Sequence, residues 1–151
     1  MKRKIILGVI LLIVVGGSIA YWIVFKSRAD IVQDKPDVQV TAANLVAAFE
    51  KDTAAASKQY MDKVVEISGN VKRIDTSGAV ILGEETSPSE VVVAFDQMYH
   101  KKDYESLVLG KPAVLQGICS GYTISGTDPD DLLSGLGTTI QIRSAGVKSR
   151  N

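Results

Sequence analysis

The chain has little of what most active sites are built from. Its 151 residues include one cysteine, Cys119, and one histidine, His100. A single cysteine excludes an intramolecular disulfide, and a single histidine without cysteine neighbours cannot build the usual zinc site. No Gly-rich phosphate-binding motif occurs. Cys119 sits among apolar neighbours with no adjacent positive charge, which reads as a small buried hydrophobe rather than a reactive thiol. His100 lies in Tyr99-His100-Lys101-Lys102, which reads as solvated surface. No catalytic residue, metal or cofactor is therefore expected.

Acidic residues are missing from the first 29 positions. All 17 Asp and Glu lie beyond Ala29, against 12 Lys or Arg there, so a net −5 is hidden behind the overall zero. An acidic domain repels phosphate backbones, whose binding depends on basic side chains releasing counterions. Nucleic acid is disfavoured as a partner.

Charge of either sign is absent from Ile5 to Phe25, IILGVILLIVVGGSIAYWIVF, a run of 21 residues. As a helix it is about 30 Å long, the thickness of a bilayer's hydrocarbon core. Tyr21 and Trp22 stand near its far end, where amphipathic rings favour the interface. The run predicts a transmembrane signal-anchor helix over 5–25. Ser18-Ile19-Ala20 also resembles a signal-peptidase site, but the apolar run continues through Phe25, too long for an ordinary signal peptide. Lys2, Arg3, Lys4 and the α-amino group precede the run, whereas Lys26 and Arg28 follow it. This bias puts the N-terminus in the cytoplasm and the C-terminal domain outside, on a single-pass inner (cytoplasmic) membrane protein.

Residues 26–40, with mixed charges and one proline, read as a linker. Thr41 is a fitting N-cap for TAANLVAAFEKDTAAASKQYMDK. Leu45, Phe49, Ala56 and Tyr60 form one apolar stripe at helical spacing, with a break expected near Asp52-Thr53. Then the period changes to two. Val64–Ile74 reads as a long strand with Val65, Ile67 and Val71 on one face, and Gly69 in its middle suggests a bulge or sharp coil. Shorter strands follow at 79–83, 91–95, 113–119 and 138–143. A helical segment is expected within 97–107, and Gly117 marks a bend. Asp128-Pro129-Asp130-Asp131 fits the cap of a one-turn helix over 132–136 better than a calcium loop, because the Gly and distal Glu of an EF-hand are missing.

Five strands, a long first one with a central glycine and a helical piece after the third describe an all-β OB-fold barrel with an N-terminal helix packed on it. TAANLVAAFEKDTAAASKQYMDKVVEISGNVKRID, VILG and LGKPAVLQGICSGY resemble the tRNA-anticodon-like (tRNA_anti-like) OB-fold family of small, often membrane-anchored bacterial proteins. The resemblance runs from about Val40 to Val147 and departs after Gly121, where TISGTDPDDLLSGLG exceeds a simple hairpin. It implies the OB fold over 41–147. It implies no activity, no catalytic residue and no tRNA binding.

OB-folds take ligands on the face of their second and third strands. That predicts Lys72, Arg73, Phe95 and Tyr122 as ligand-binding positions, although Lys72 and Arg73 face opposite ways on a regular strand unless a bulge realigns them. The expected function is a membrane-anchored binding or interaction module without catalytic activity. Its partner would be another protein or a saccharide-like ligand. The alternative is a single-stranded nucleic-acid-binding OB protein.

Overall fold

The computed structural model describes residues 30–75, 77–124 and 136–148. The expected anchor at 5–25 and the Asp128–Leu136 cap lie outside these residues, apart from Leu136 itself. Among the described residues no helix is long and apolar enough to cross a membrane.

The elements in order are β1 (Val38–Thr41), α1 (Ala42–Lys51), α2 (Thr53–Tyr60), β2 (Val64–Ile74), β3 (Val80–Leu82), β4 (Glu90–Phe95), a 3₁₀ turn (Asp103–Ser106), β5 (Pro112–Thr123) and β6 (Thr139–Val147). Strands β2-β3-β4-β6-β5 form a closed five-stranded barrel, completed by pairing of β5 back onto β2. The long β2 makes closure possible because it serves two neighbours. Val64–Asn70 pair antiparallel with Ile118–Pro112 of β5, whereas Val71, Arg73 and Ile74 pair with β3. β4 and β6 run parallel, which accounts for the long connections between them.

Alternation along the strands places Val65, Ile67, Val71, Val80, Leu82, Val91, Val93, Leu115, Ile140 and Ile142 inside. The helices close one end of the barrel. Thr41 caps α1, its Oγ1 accepting from Asn44 N at 3.2 Å. Asp52 ends α1, its N–H donating to Ala48 O at 3.1 Å, and caps α2 through Oδ1 to Ala55 N at 2.9 Å. One residue thus ends one helix and starts the next, and the apolar stripe bends without losing its face. Leu45, Phe49, Ala56 and Tyr60 are all buried.

Several expectations require correction. Residues 31–40 are built into the domain rather than serving as a linker. Val38–Thr41 pair in parallel with Val65–Ser68, so a sixth strand lies outside the barrel on β2. Val32 is buried, and the carbonyls of Ile31 and Asp34 accept from Gln116 Nε2 at 2.6 and 2.9 Å. The cause is Gln116, fully buried on β5, whose amide must find partners inside the protein. Gly69 is not a bulge, since pairing with β5 passes through it regularly. Its missing side chain instead admits Ala42, whose Cβ lies 3.0 Å from where a Cβ of residue 69 would stand. The bulge falls three residues later, at Lys72.

His100 is buried rather than solvated. Its Nδ1 lies 2.8 Å from Asp103 Oδ2, and its ring covers Gly146, where a Cβ would come within 2.5 Å of the ring. Near Gly117 the register shifts, with two residues of β6, Ser144 and Ala145, facing the single Gly117 between paired positions. Ser144 carries the extra length in a left-handed conformation, φ 50°. β5 and β6 both extend beyond the expected 113–119 and 138–143.

Candidate functional site

A groove of about 510 Å³ opens where β2 changes partners on one edge. Pairing with β1 ends at Ser68, and pairing with β3 begins at Val71. Between these points the chain of β1 has turned into α1, so Gly69 and Asn70 are flanked by a helix on one side and by the end of β3 on the other. One wall is the exposed flank of α1, with Ala43, Ala47 and Glu50. The other is the turn after β3, with Gly83, Glu84, Ser87 and Ser89; Val46 and Leu82 line the bottom.

The groove holds its shape through a short polar chain. Ser89 Oγ donates to Glu50 Oε1 at 2.8 Å and accepts from Thr138 N at 3.0 Å, which ties α1 to the start of β6. Lys72 anchors the opposite wall from behind, donating to Ser87 O at 2.8 Å and facing Glu90 Oε2 at 3.5 Å. Glu50 and Glu84 are the charged groups in the lining, with no Lys, Arg or His among them. The Lys72 ammonium lies beside this lining, on the carbonyl of Ser87.

The four positions expected from sequence are brought together only in part. Val71 opposes Leu82 and Arg73 opposes Ile81, so Lys72 is the extra residue of a bulge. The bulge turns both basic side chains toward Glu90, with Arg73 Nη2 4.0 Å from Oε1. Lys72 is largely covered, at 20% side-chain exposure, and Arg73 is open, at 65%. Phe95 pairs in register with Ala145 and is 4% exposed in the core, its ring 6.5 Å from that of Tyr104. Tyr122 pairs with Ile140, and its ring lies 4.9 Å from Phe49 at the helix-capped end while staying partly open to solvent. Burial of Phe95 and the place of Tyr122 at the helix-capped end separate these two rings from Arg73. Sequence reasoning passed over the groove residues, because none of Ala43, Ala47, Gly69 or Gly83 carries a chemical signal. The Ala-rich flank of α1 and the central glycine of β2 were the available hints.

Among the described residues no group of three His, Cys, Asp or Glu is placed to hold a metal ion. Burial pushes the Cys119 thiol up to about 11, and the Asp62 carboxylate adds to the rise against a lowering hydrogen bond from the Gly121 backbone. A thiol held protonated at neutral pH is a poor nucleophile.

The profile of the tRNA_anti-like family matches residues 1–128. No curated protein matches the chain. Among solved structures, the chain is similar to a proposed nucleic acid-binding lipoprotein of Klebsiella pneumoniae subsp. pneumoniae, with 17% identity over 74% of this chain and 92% of that one, at a TM-score of 0.48. It is also similar to the asparaginyl-tRNA synthetase of Entamoeba histolytica in complex with asparaginyl-adenylate, with 15% identity over 78% of this chain, at a TM-score of 0.39. The match spans 25% of that synthetase. Likeness at this level carries no argument about ligand or activity.

Proposed function

The chain belongs to the tRNA_anti-like family, and we propose that it is a membrane-anchored binding module without catalytic activity, using the groove beside α1 as its ligand site. The groove carries this reading: it is open, of ligand size, and lined by small apolar and polar residues with two glutamates rather than by a reactive constellation. The uncharged 21-residue run 5–25 supplies the anchor, and the Lys and Arg bias places the domain on the outer side of the cytoplasmic membrane. The ligand is a segment of another protein or a saccharide-like chain.

A second reading, binding of single-stranded nucleic acid, is favoured by one observation. The bulge at Lys72 puts two basic side chains on the same side of the strand. Against it, Lys72 is already engaged by Ser87 and Glu90, and no inward-facing ring can stack beside Arg73.

Photo-crosslinking in cells separates the two. With p-benzoyl-phenylalanine in place of Ala47, the expected product is a discrete adduct with a protein or glycan. Adducts with RNA or DNA from the same probe in place of Arg73, and none from position 47, would promote the second reading. No adduct from Ala43 or Ala47 sinks the groove as a ligand site.

A further inference from the structure

We infer that the loop joining β4 to β5, residues 96–111, is a membrane-docking face. It lays Met98, Tyr99, Val108 and Leu109 into the headgroup layer of an anionic bilayer, with Lys101, Lys102 and Lys111 on the lipid phosphates. This rests on the reading of 5–25 as a membrane anchor and adds what the domain does beside that membrane. The loop is built inside out. His100 is buried against Gly146, and the Asp103 carboxylate turns inward to His100 Nδ1 at 2.8 Å and to the Val147 N–H at 3.0 Å. The apolar side chains stand outside. The described residues include six exposed large hydrophobic side chains, and four of them are Met98, Tyr99, Val108 and Leu109, each more than half exposed. Single exposed hydrophobics are ordinary, whereas several in one loop mark a contact surface.

The fold holds these side chains out. Asp96 Oδ1 accepts from the N–H groups of Met98 and Tyr99 at 2.8 and 3.0 Å. Gly110 N donates to Val71 O at 2.8 Å, and Lys111 N donates to Val108 O at 3.1 Å. Between these pairs, Tyr104 seats the loop on Phe95. Lys101, Lys102 and Lys111 are exposed among the apolar residues, against one exposed acid in the loop, Glu105. Apolar side chains beside lysines suit a bilayer interface, where the first enter the acyl boundary and the second reach anionic headgroups. The core of a protein interface is instead depleted of lysine.

The tether selects the bilayer as occupant. Five residues, 26–30, separate the uncharged run from Ile31, and they bridge at most about 20 Å. The carbonyls of Val32 and Asp34 are fastened to Lys148 Nζ at 2.8 and 3.0 Å, directly after Val147, which holds Asp103 of the loop. The tethered start of the domain and the loop therefore meet at one end of the barrel. β5 begins there at Pro112 and carries Tyr122 to Phe49 at the other end. So short a tether keeps the effective concentration of the bilayer high, and weak contacts suffice to orient the domain.

The test places the full chain, labelled with ¹⁵N, in phosphatidylcholine nanodiscs with and without phosphatidylglycerol. Both are doped with a lipid carrying a headgroup nitroxide. Paramagnetic broadening is expected at the amides of Met98, Tyr99, Val108 and Leu109, weaker without phosphatidylglycerol, and least at Phe49 and Tyr122. Lys101→Gln should lower the docked-to-free ratio roughly five-fold, and Lys102→Gln should do so again, the pull of an anionic surface on one lysine. Val108→Ser with Leu109→Ser should remove the docked population while the other amide shifts of the domain stay in place. Broadening that survives this double variant overturns the docking. Uniform broadening, or broadening strongest at Tyr122, with the chain retained in the discs, overturns the docking and leaves the anchor standing. Broadening that needs two chains per disc gives the face to a second copy and overturns the lipid assignment. A chain that elutes apart from the discs overturns the anchor, and the docking with it.

Discussion

Lys148 donates its ammonium to Oε1 of Gln116 at 2.8 Å, and the same ammonium reaches the carbonyls of Val32 at 2.8 Å and Asp34 at 3.0 Å. The two side chains together form a clasp. Gln116 gives its amide N–H groups to Ile31 and Asp34, and Lys148 closes the other half of the amide. The start of the domain is thereby fastened to the strand that closes the barrel.

Replacing Gln116 by Leu should take one partner each from the Ile31 and Asp34 carbonyls and from the Lys148 ammonium, leaving Ile31 O with Asp34 N alone and Lys148 with the carbonyls of Val32 and Asp34. The expected cost is about 1–3 kcal/mol, read by urea denaturation. Hydrogen exchange should accelerate in 31–37 before the rest of the domain. Unchanged exchange there would show that the clasp does not hold the segment.

Phe49 is fully buried and touches both Tyr60 and Tyr122, with ring centroids 6.1 and 4.9 Å away. Phe49→Ala should destabilise by roughly 3–5 kcal/mol. Tyr122→Ala should cost less, because the ring is 39% exposed. The double variant should recover about 0.5–1.5 kcal/mol of the summed losses, the coupling of an aromatic pair. Simple additivity would mean that the two rings do not support one another.

Gly146→Ala puts a methyl group where His100 lies, since a Cβ there would stand 2.5 Å from the ring. The ring must move and its bond to Asp103 must loosen. A loss of about 1–3 kcal/mol is expected from overpacking. Adding His100→Ala should make the Gly146→Ala step nearly neutral. A full penalty in that background would locate the clash elsewhere.

The Cys119 thiol is raised to about 11 in the folded chain from an ordinary value of 9.0. The folded state holds this proton more tightly, so stability is complete below pH 9 and is lost as pH rises from 9 toward 11. The slope from this group is at most about 1.4 kcal/mol per pH unit. Cys119→Ala should be less stable at neutral pH and show a shallower decline across that window. Parallel declines would mean that the thiol is not the group responsible.

Binding of oligo-dT or oligo-U should be no tighter than non-specific association, with Kd weaker than roughly 10⁻⁶ M at physiological salt. Fluorescence anisotropy across a salt series reads this directly. Submicromolar affinity that falls steeply with salt and disappears in Lys72→Ala with Arg73→Ala would make the outer β2–β3 face the functional one.

Local chemistry was enough to place most elements. Thr41 announces a helix start because its side chain can accept from a first-turn amide, Asp52-Thr53 marks a break, and the period-two runs at 64–74 and 91–95 are visible because one face must be buried. The central glycine of β2 pointed to a special position, but pattern could not say whether a bulge or a close helix would use it. That depended on Ala42 arriving from another element. The same limit governed β1, whose residues 38–40 look like linker until Val65–Ser68 offer an edge. It governed His100 too, whose burial requires a glycine 46 positions away. The groove was the least legible feature, because it is made of an absence: small side chains at the point where β2 leaves one partner before it meets the next. Periodicity records which face of a strand is buried. Which neighbour does the burying, and where two neighbours fail to meet, is decided only when the barrel closes.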